Sequence, residues 1–147
     1  MATVASDGPF SIFPGIDRTL SILDGAGMSL AMESGQDMAL DGASLPLSFA
    51  ADIAVAATLV DGPVTDLNVM TRRGRYRHSI ERITGRFSVS REALSETVLV
   101  LVTGDALATS GNKTVEMTAL DAVEVVDALT IEANHTVCYV IRITQQG

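Results

Sequence analysis

The chain has no tryptophan and a single cysteine, Cys138. No internal disulfide can brace it, which fits a reducing compartment, and a cytoplasmic protein is expected. Cys138 lies in the apolar run Val137 to Ile143 and reads as a small buried hydrophobe; as a nucleophile it would need a base, and only His135 is near in sequence. Apolar runs are only a few residues long, too short for a membrane-spanning helix, and the opening MATVASDGPF has neither the basic segment nor the apolar run of a secretory leader. No membrane partner is expected. Positive charge is scarce as well: 10 Lys and Arg stand against 18 Asp and Glu, a formal net charge of -8. That balance repels a polyanion, so nucleic acid is not expected as a partner. The two histidines, His78 and His135, form no closely spaced pair that could converge on a metal ion. No Gly-x-Ser-x-Gly turn supports a catalytic triad, and Gly25 and Gly27 lead into the strand-like MSLAME rather than a helix N-terminus, so no phosphate loop is present. Neither metal nor cofactor is expected.

What the chain does have is apolar material broken at short intervals. Of 147 residues 47% are hydrophobic and 19% charged, enough for one substantial core. Turn signals recur at Asp24-Gly25, Ser34-Gly35, Asp41-Gly42, Asp61-Gly62-Pro63, Thr84-Gly85, Gly104-Asp105 and Ser110-Gly111-Asn112, and strand-length segments lie between them. The strand candidates are Arg18 to Leu23, Met28 to Glu33, Ile53 to Val60, Tyr76 to Ile83, Val98 to Thr103, Thr114 to Thr118 and Val137 to Thr144. This is the pattern of an all-β protein. Ser90 to Glu96 is the best helical candidate, with Ser90 as a cap, although the β-branched run that follows opposes it. The three Asp-Gly pairs at 24, 41 and 61 read as tight turns that need a positive φ.

Six of the ten basic residues fall between Gly62 and Arg86. Alternation along a strand from Thr65 to Thr71 puts Asp66, Asn68, Met70 and Arg72 on one face, with Leu67 and Val69 on the other. Either a solvated surface strand or a concave site satisfies that pattern. Arg18 shares a face with Leu20 and Ile22 and is the one charge on an inward side, so it must be paired or face a cavity. An ion pair with Asp17 or Asp66 and a ligand-binding role both fit. The same alternation leads to the expectation that Arg18 and Arg72 converge in one cavity, with Asp66, Asn68 and Met70 alongside, and present guanidinium groups to a small anion.

GPFSIFPGIDRTLSILDGAGMSL (Gly8 to Leu30) and LVDGPVTDLNVMTRRG (Leu59 to Gly74) strongly resemble the HutD/Ves family of bacterial cupin-like proteins, and the resemblance covers most of the chain from Ala2 onward. It implies a cupin-like (RmlC-like) bicupin of β-sandwich or barrel modules, here 1–86 and 87–147, sharing an apolar interface as one unit. The motif carries Pro14, Gly15 and Arg18 from its first block and Asp66, Asn68, Met70 and Arg72 from its second. Relative to the family pattern, Met1-Ala2-Thr3-Val4-Ala5 looks like the end of a strand, so the expectation is an N-terminally shortened form lacking one wall of the first module and a pocket lysine. At Phe49-Ala50-Ala51-Asp52 many relatives carry Gly before the Asp.

For function the resemblance implies a non-enzymatic, regulatory sensor of a carboxylate metabolite in histidine catabolism, such as urocanate or a formylated or formimino glutamate derivative. Two alternatives of other classes are a metal-independent cupin enzyme using His78 or Asp66 as base, and a Ves-type stress-related protein or scaffold docking an acidic partner or a second copy of itself.

Overall fold

The turn-punctuated segments fold as strands throughout. The computed structural model describes residues 1–147 and contains fourteen strands and no helix, so no helix is long and apolar enough to cross a membrane. Two compact units divide the chain, Met1–Arg75 and Tyr76–Gly147.

The first unit contains β1 (Ala2–Val4), β2 (Gly8–Pro9), β3 (Ile16–Asp24), β4 (Met28–Met32), β5 (Asp37–Leu40), β6 (Leu47–Ala50), β7 (Val55–Leu59) and β8 (Val64–Arg72). They form two four-stranded antiparallel sheets, ordered β1-β8-β3-β6 and β2-β7-β4-β5. Leu20, Ile22 and Val64 from the first sheet cluster with Met28, Leu30, Val55 and Ala57 from the second. Each large side chain so buried contributes roughly 1.5–3 kcal/mol. The register of β3 on β8 sets Arg18 opposite Met70, Leu20 opposite Asn68 and Ile22 opposite Asp66. In an antiparallel pair, opposite residues point to the same side, so the polar residues of β8 share the face of Leu20 and Ile22.

The second unit contains β9 (Tyr76–Ser90), β10 (Glu96–Val102), β11 (Ala106–Ser110), β12 (Lys113–Met117), β13 (Ala122–Glu124) and β14 (Ala128–Gln145). β14 is its spine. One edge pairs with β9 along nearly the whole length of both strands, while the other edge pairs with β11 near its start and with β10 beyond a register shift between Ala133 and Val137. His135, at φ 59°, sits in that irregularity. The sheet order β12-β11-β14-β10-β13 curls into a half-barrel around Val98, Val100, Val102, Ile131, Cys138 and Val140.

Three expectations change here. Tyr76 to Arg86, placed with the first module by the sequence, pairs with β14 in the second unit. The reason is Gly85: at φ 83° it stays in register opposite Ala133, so what reads as a Thr84-Gly85 turn is an irregularity inside a continuous strand. Ser90 to Glu96 forms no helix; Ser90 ends β9 and Glu96 begins β10. Of the three Asp-Gly turns, Gly25 and Gly62 have positive φ but Gly42 does not, because the side chains of Asp41 and Ser44 close that turn, Oδ1 of Asp41 accepting from the Ala43 amide at 2.8 Å.

Candidate functional site

The alternation in β8 turns Asp66 and Asn68 toward Arg18 of β3. The Arg18 Nε donates to Asn68 Oδ1 at 2.7 Å, and Asn68 Nδ2 donates to Asp66 Oδ1 at 2.6 Å. Asn68 thus joins a guanidinium to a carboxylate, using one end of its amide for each. Arg18 is 8% exposed and Asp66 1%. Phe10 and Phe49 flank the guanidinium, with Arg18 Cζ 4.6 Å from the Phe10 ring centre and 5.7 Å from that of Phe49. Such cation–π contacts are worth about 0.5–2 kcal/mol and fix the plane of the group. Of the guanidinium nitrogens, Nε is the one held by a protein acceptor.

These groups line a cavity of about 420 Å³, walled by Phe10, Phe13, Arg18, Asp66, Asn68 and Met70. Met70 is 45% exposed and marks its rim. Burial weakens the hold of the Arg18 guanidinium on its proton, an effect that nearby Asp66 opposes. Burial likewise raises the Asp66 carboxyl above the usual range, countered in part by Arg18. Desolvation is the leading cause for both groups, so the cavity is a place where charge is costly.

Arg72 does not share this cavity. It lies at the exposed end of β8, opposite Ile16, where the chain turns and the Arg75 amide donates to the Arg72 carbonyl. Alternation assigns a residue to a face but not to a depth along the strand. The neighbouring Arg73, unremarked in the sequence, is the structural arginine of the unit. Its Nε donates to Asp17 Oδ1 at 2.8 Å, and its terminal nitrogens reach both oxygens of Asp52, the shorter contact being 2.7 Å. Asp52 also accepts from the Gly15 amide at 3.0 Å. Pro14 and Gly15 of the motif therefore belong to a loop clip, and Asp17 pairs with Arg73 rather than with Arg18. The signal for Phe49 lay in the pairing of β6 with β3, which sets it opposite Arg18.

The Arg73 hydrogen bonds, seconded by the Gly15 amide, hold Asp52 well below the ordinary carboxylate range. A depressed carboxyl stabilises the fold fully above its ordinary value of 3.8, and that contribution drains away as pH falls below it. Asp52→Asn is expected to lower the melting temperature at pH 7 and to narrow the difference between pH 7 and pH 3. Thermal unfolding at the two pH values checks this; an unchanged difference would mean that the clip adds nothing.

The other candidates lie elsewhere. Cys138 is fully buried in the core of the second unit, and burial pushes its thiol up to about 11, which leaves almost no thiolate at neutral pH. His78 lies on β9 opposite Ile143, in the second unit, and His135 is exposed.

The HutD family model matches residues 1–140. The chain belongs to the HutD family. Protein Ves of Citrobacter koseri is 37% identical over 81 residues, which are 54% of this chain and 42% of that protein. Protein Ves of Cronobacter sakazakii is 34% identical over 92 residues, 62% of this chain and 50% of that one. The matches thus span about half the length of these relatives. Among solved structures, HutD from Pseudomonas fluorescens SBW25 superposes with a TM-score of 0.84 at 24% identity, covering 99% of this chain and 77% of that one. A cupin 2 conserved barrel domain protein from Leptotrichia buccalis aligns with a TM-score of 0.56 at 11% identity, covering 98% of this chain and 81% of that chain. These likenesses speak to the fold, and the HutD chain described here is all-β and cupin-like.

Proposed function

We propose that this HutD family member binds a small carboxylate metabolite in the Arg18 cavity and acts as a cytoplasmic, non-catalytic sensor in histidine catabolism, its two units forming a bicupin. The observation that carries the reading is the Arg18 guanidinium: it is buried, held by Asn68 and two aromatic rings, and has its terminal nitrogens open to a cavity of metabolite size. A planar fork of donors matches a carboxylate, and each charge-assisted hydrogen bond contributes on the order of 1.5–3 kcal/mol. Membership of the HutD family supports it further.

Calorimetric titration with formate, urocanate and N-formylglutamate, set against the neutral amide of urocanate, tests the proposal. Saturable binding of at least one acid, with the amide much weaker, is expected. Amide and acid binding alike, or no acid binding at millimolar concentration, would sink it. A second reading, a metal-independent cupin enzyme acting on a small acid, is favoured by one feature, the fully buried and raised Asp66 carboxyl beside the same cavity, which suits a proton-transferring group. Conversion of a bound acid, lost in Asp66→Asn, would select it.

A further inference from the structure

At one end of the second unit's sheet lies a small hollow of about 280 Å³, lined by Arg77 and Ser79 of β9, Glu96 of β10, and Arg142 and Thr144 of β14. Register puts all five side chains on one face. Arg77, Thr144 and Glu96 stand opposite one another in a row across β9, β14 and β10, and Ser79 stands opposite Arg142 in the next row on the same side, two residues along. Farther along, this face carries Val98, Val100, Cys138 and Val140 of the core, so the hollow is the polar end of an otherwise apolar surface. His78 also borders it, but a place opposite Ile143 turns that side chain to the other face.

Charge in the hollow does not balance. Arg142 Nη1 donates to the two Glu96 oxygens at 3.2 and 3.1 Å and to the Ser90 carbonyl at 3.1 Å, and the buried Glu96 also accepts from the Glu92 amide at 2.9 Å. That pair is neutral as a whole, and it holds the Arg142 guanidinium in one place. No ion pair engages Arg77, so one positive charge is left over, with the Ser79 and Thr144 hydroxyls beside it. Glu81, the next residue of β9 on this face, lies a row beyond, opposite Val140, and does not line the space. Donors drawn from two strands and two rows do not share a plane, which suits a tetrahedral oxyanion better than a flat carboxylate. We propose that this hollow binds a phosphate group, free or at the end of a small ester, between Arg77 and Arg142, with the hydroxyls of Ser79 and Thr144 completing the cradle. Arg77 and Ser79 are exposed, which leaves the rest of an ester a way out to solvent.

The test titrates the whole chain at fixed ionic strength with inorganic phosphate, methyl phosphate, formate and chloride, followed by amide NMR. Saturable shifts of the Arg77, Ser79, Arg142 and Thr144 amides with phosphate, and far weaker ones with formate and chloride, are expected. Methyl phosphate binding as well as phosphate would assign the hollow to esters, and methyl phosphate binding much more weakly would assign it to the free ion; both uphold the site. Arg77→Gln removes the unpaired charge from an exposed position and should weaken phosphate roughly tenfold while the rest of the spectrum stays in place. Ser79→Ala should weaken it severalfold. Arg18→Lys should leave phosphate binding here unchanged, so the result stands apart from carboxylate binding in the first unit. Equal shifts with formate or chloride, an affinity that Arg77→Gln leaves unaltered, or no saturable shift at tens of millimolar phosphate would overturn the proposal.

Discussion

Arg18→Lys is expected to weaken binding of a carboxylate roughly ten- to hundredfold while the first unit stays folded, and Arg72→Lys to change it less than about twofold. Lysine keeps the positive charge but replaces a planar fork with a point charge on a flexible stem. It loses the Nε bond to Asn68 and the stacking between Phe10 and Phe49, so the charge is no longer held in one plane. One charge-assisted hydrogen bond forfeited out of two accounts for the stated range. Arg72 is the internal control, because it follows Asp66, Asn68 and Met70 on the same face of β8 yet stands exposed beyond the rim. Calorimetry on the wild type and both variants, with whichever acid binds best, decides the matter. An Arg72→Lys loss as large as that of Arg18→Lys would restore the two-arginine site that alternation alone suggests.

Gly27→Ala is expected to destabilise the first unit by about 3 kcal/mol or more, among the largest effects of any single methyl in this chain. At φ 106° the residue lies where side chains are strained, and its added Cβ would run into the Leu40 carbonyl oxygen with Asp41 Cα 3.2 Å away. The obstacle is backbone on a paired strand, so relief requires the β3–β4 hairpin to part from the end of β5. Gly42→Ala, with no atom within 4 Å of the new methyl and no positive φ, should shift the urea midpoint little. Comparable midpoints for the two variants would show that the Gly25–Gly27 hairpin yields more readily than its packing implies.

The strands were legible because alternation and turn residues are local. Arg18 to Leu23, Met28 to Glu33 and Ile53 to Val60 all fall on β3, β4 and β7, give or take a residue or two. The cupin-like fold was legible too, through the two long motif blocks around Arg18 and Asp66. What escaped depends on pairing between distant segments. Gly85 reads as a turn until β14 is seen to pair on both sides of it, with the register shifting there. Arg73 sits beside Arg72 with nothing local to tell them apart, and only the approach of Asp17 and Asp52 makes one a clip and leaves the other in solvent. Asn68 reads as one more group alongside the arginines of an anion cavity, whereas Arg18 and Asp66 already occupy both of its ends.

The position of β14 in the chain also sets an order of events. Every strand of the first unit finds its partners within Met1–Arg75, whereas β9, β10 and β11 each take a neighbour from β14, which the ribosome makes after all of them. Until β14 emerges, fifteen residues of β9 have no strand to lie against, and unpaired strands recruit other chains. Arg77, Glu81, Arg82 and Arg86 are spaced along that stretch among Ile80, Ile83 and Phe87. Charges at that spacing oppose the pairing of a waiting strand with another copy of itself.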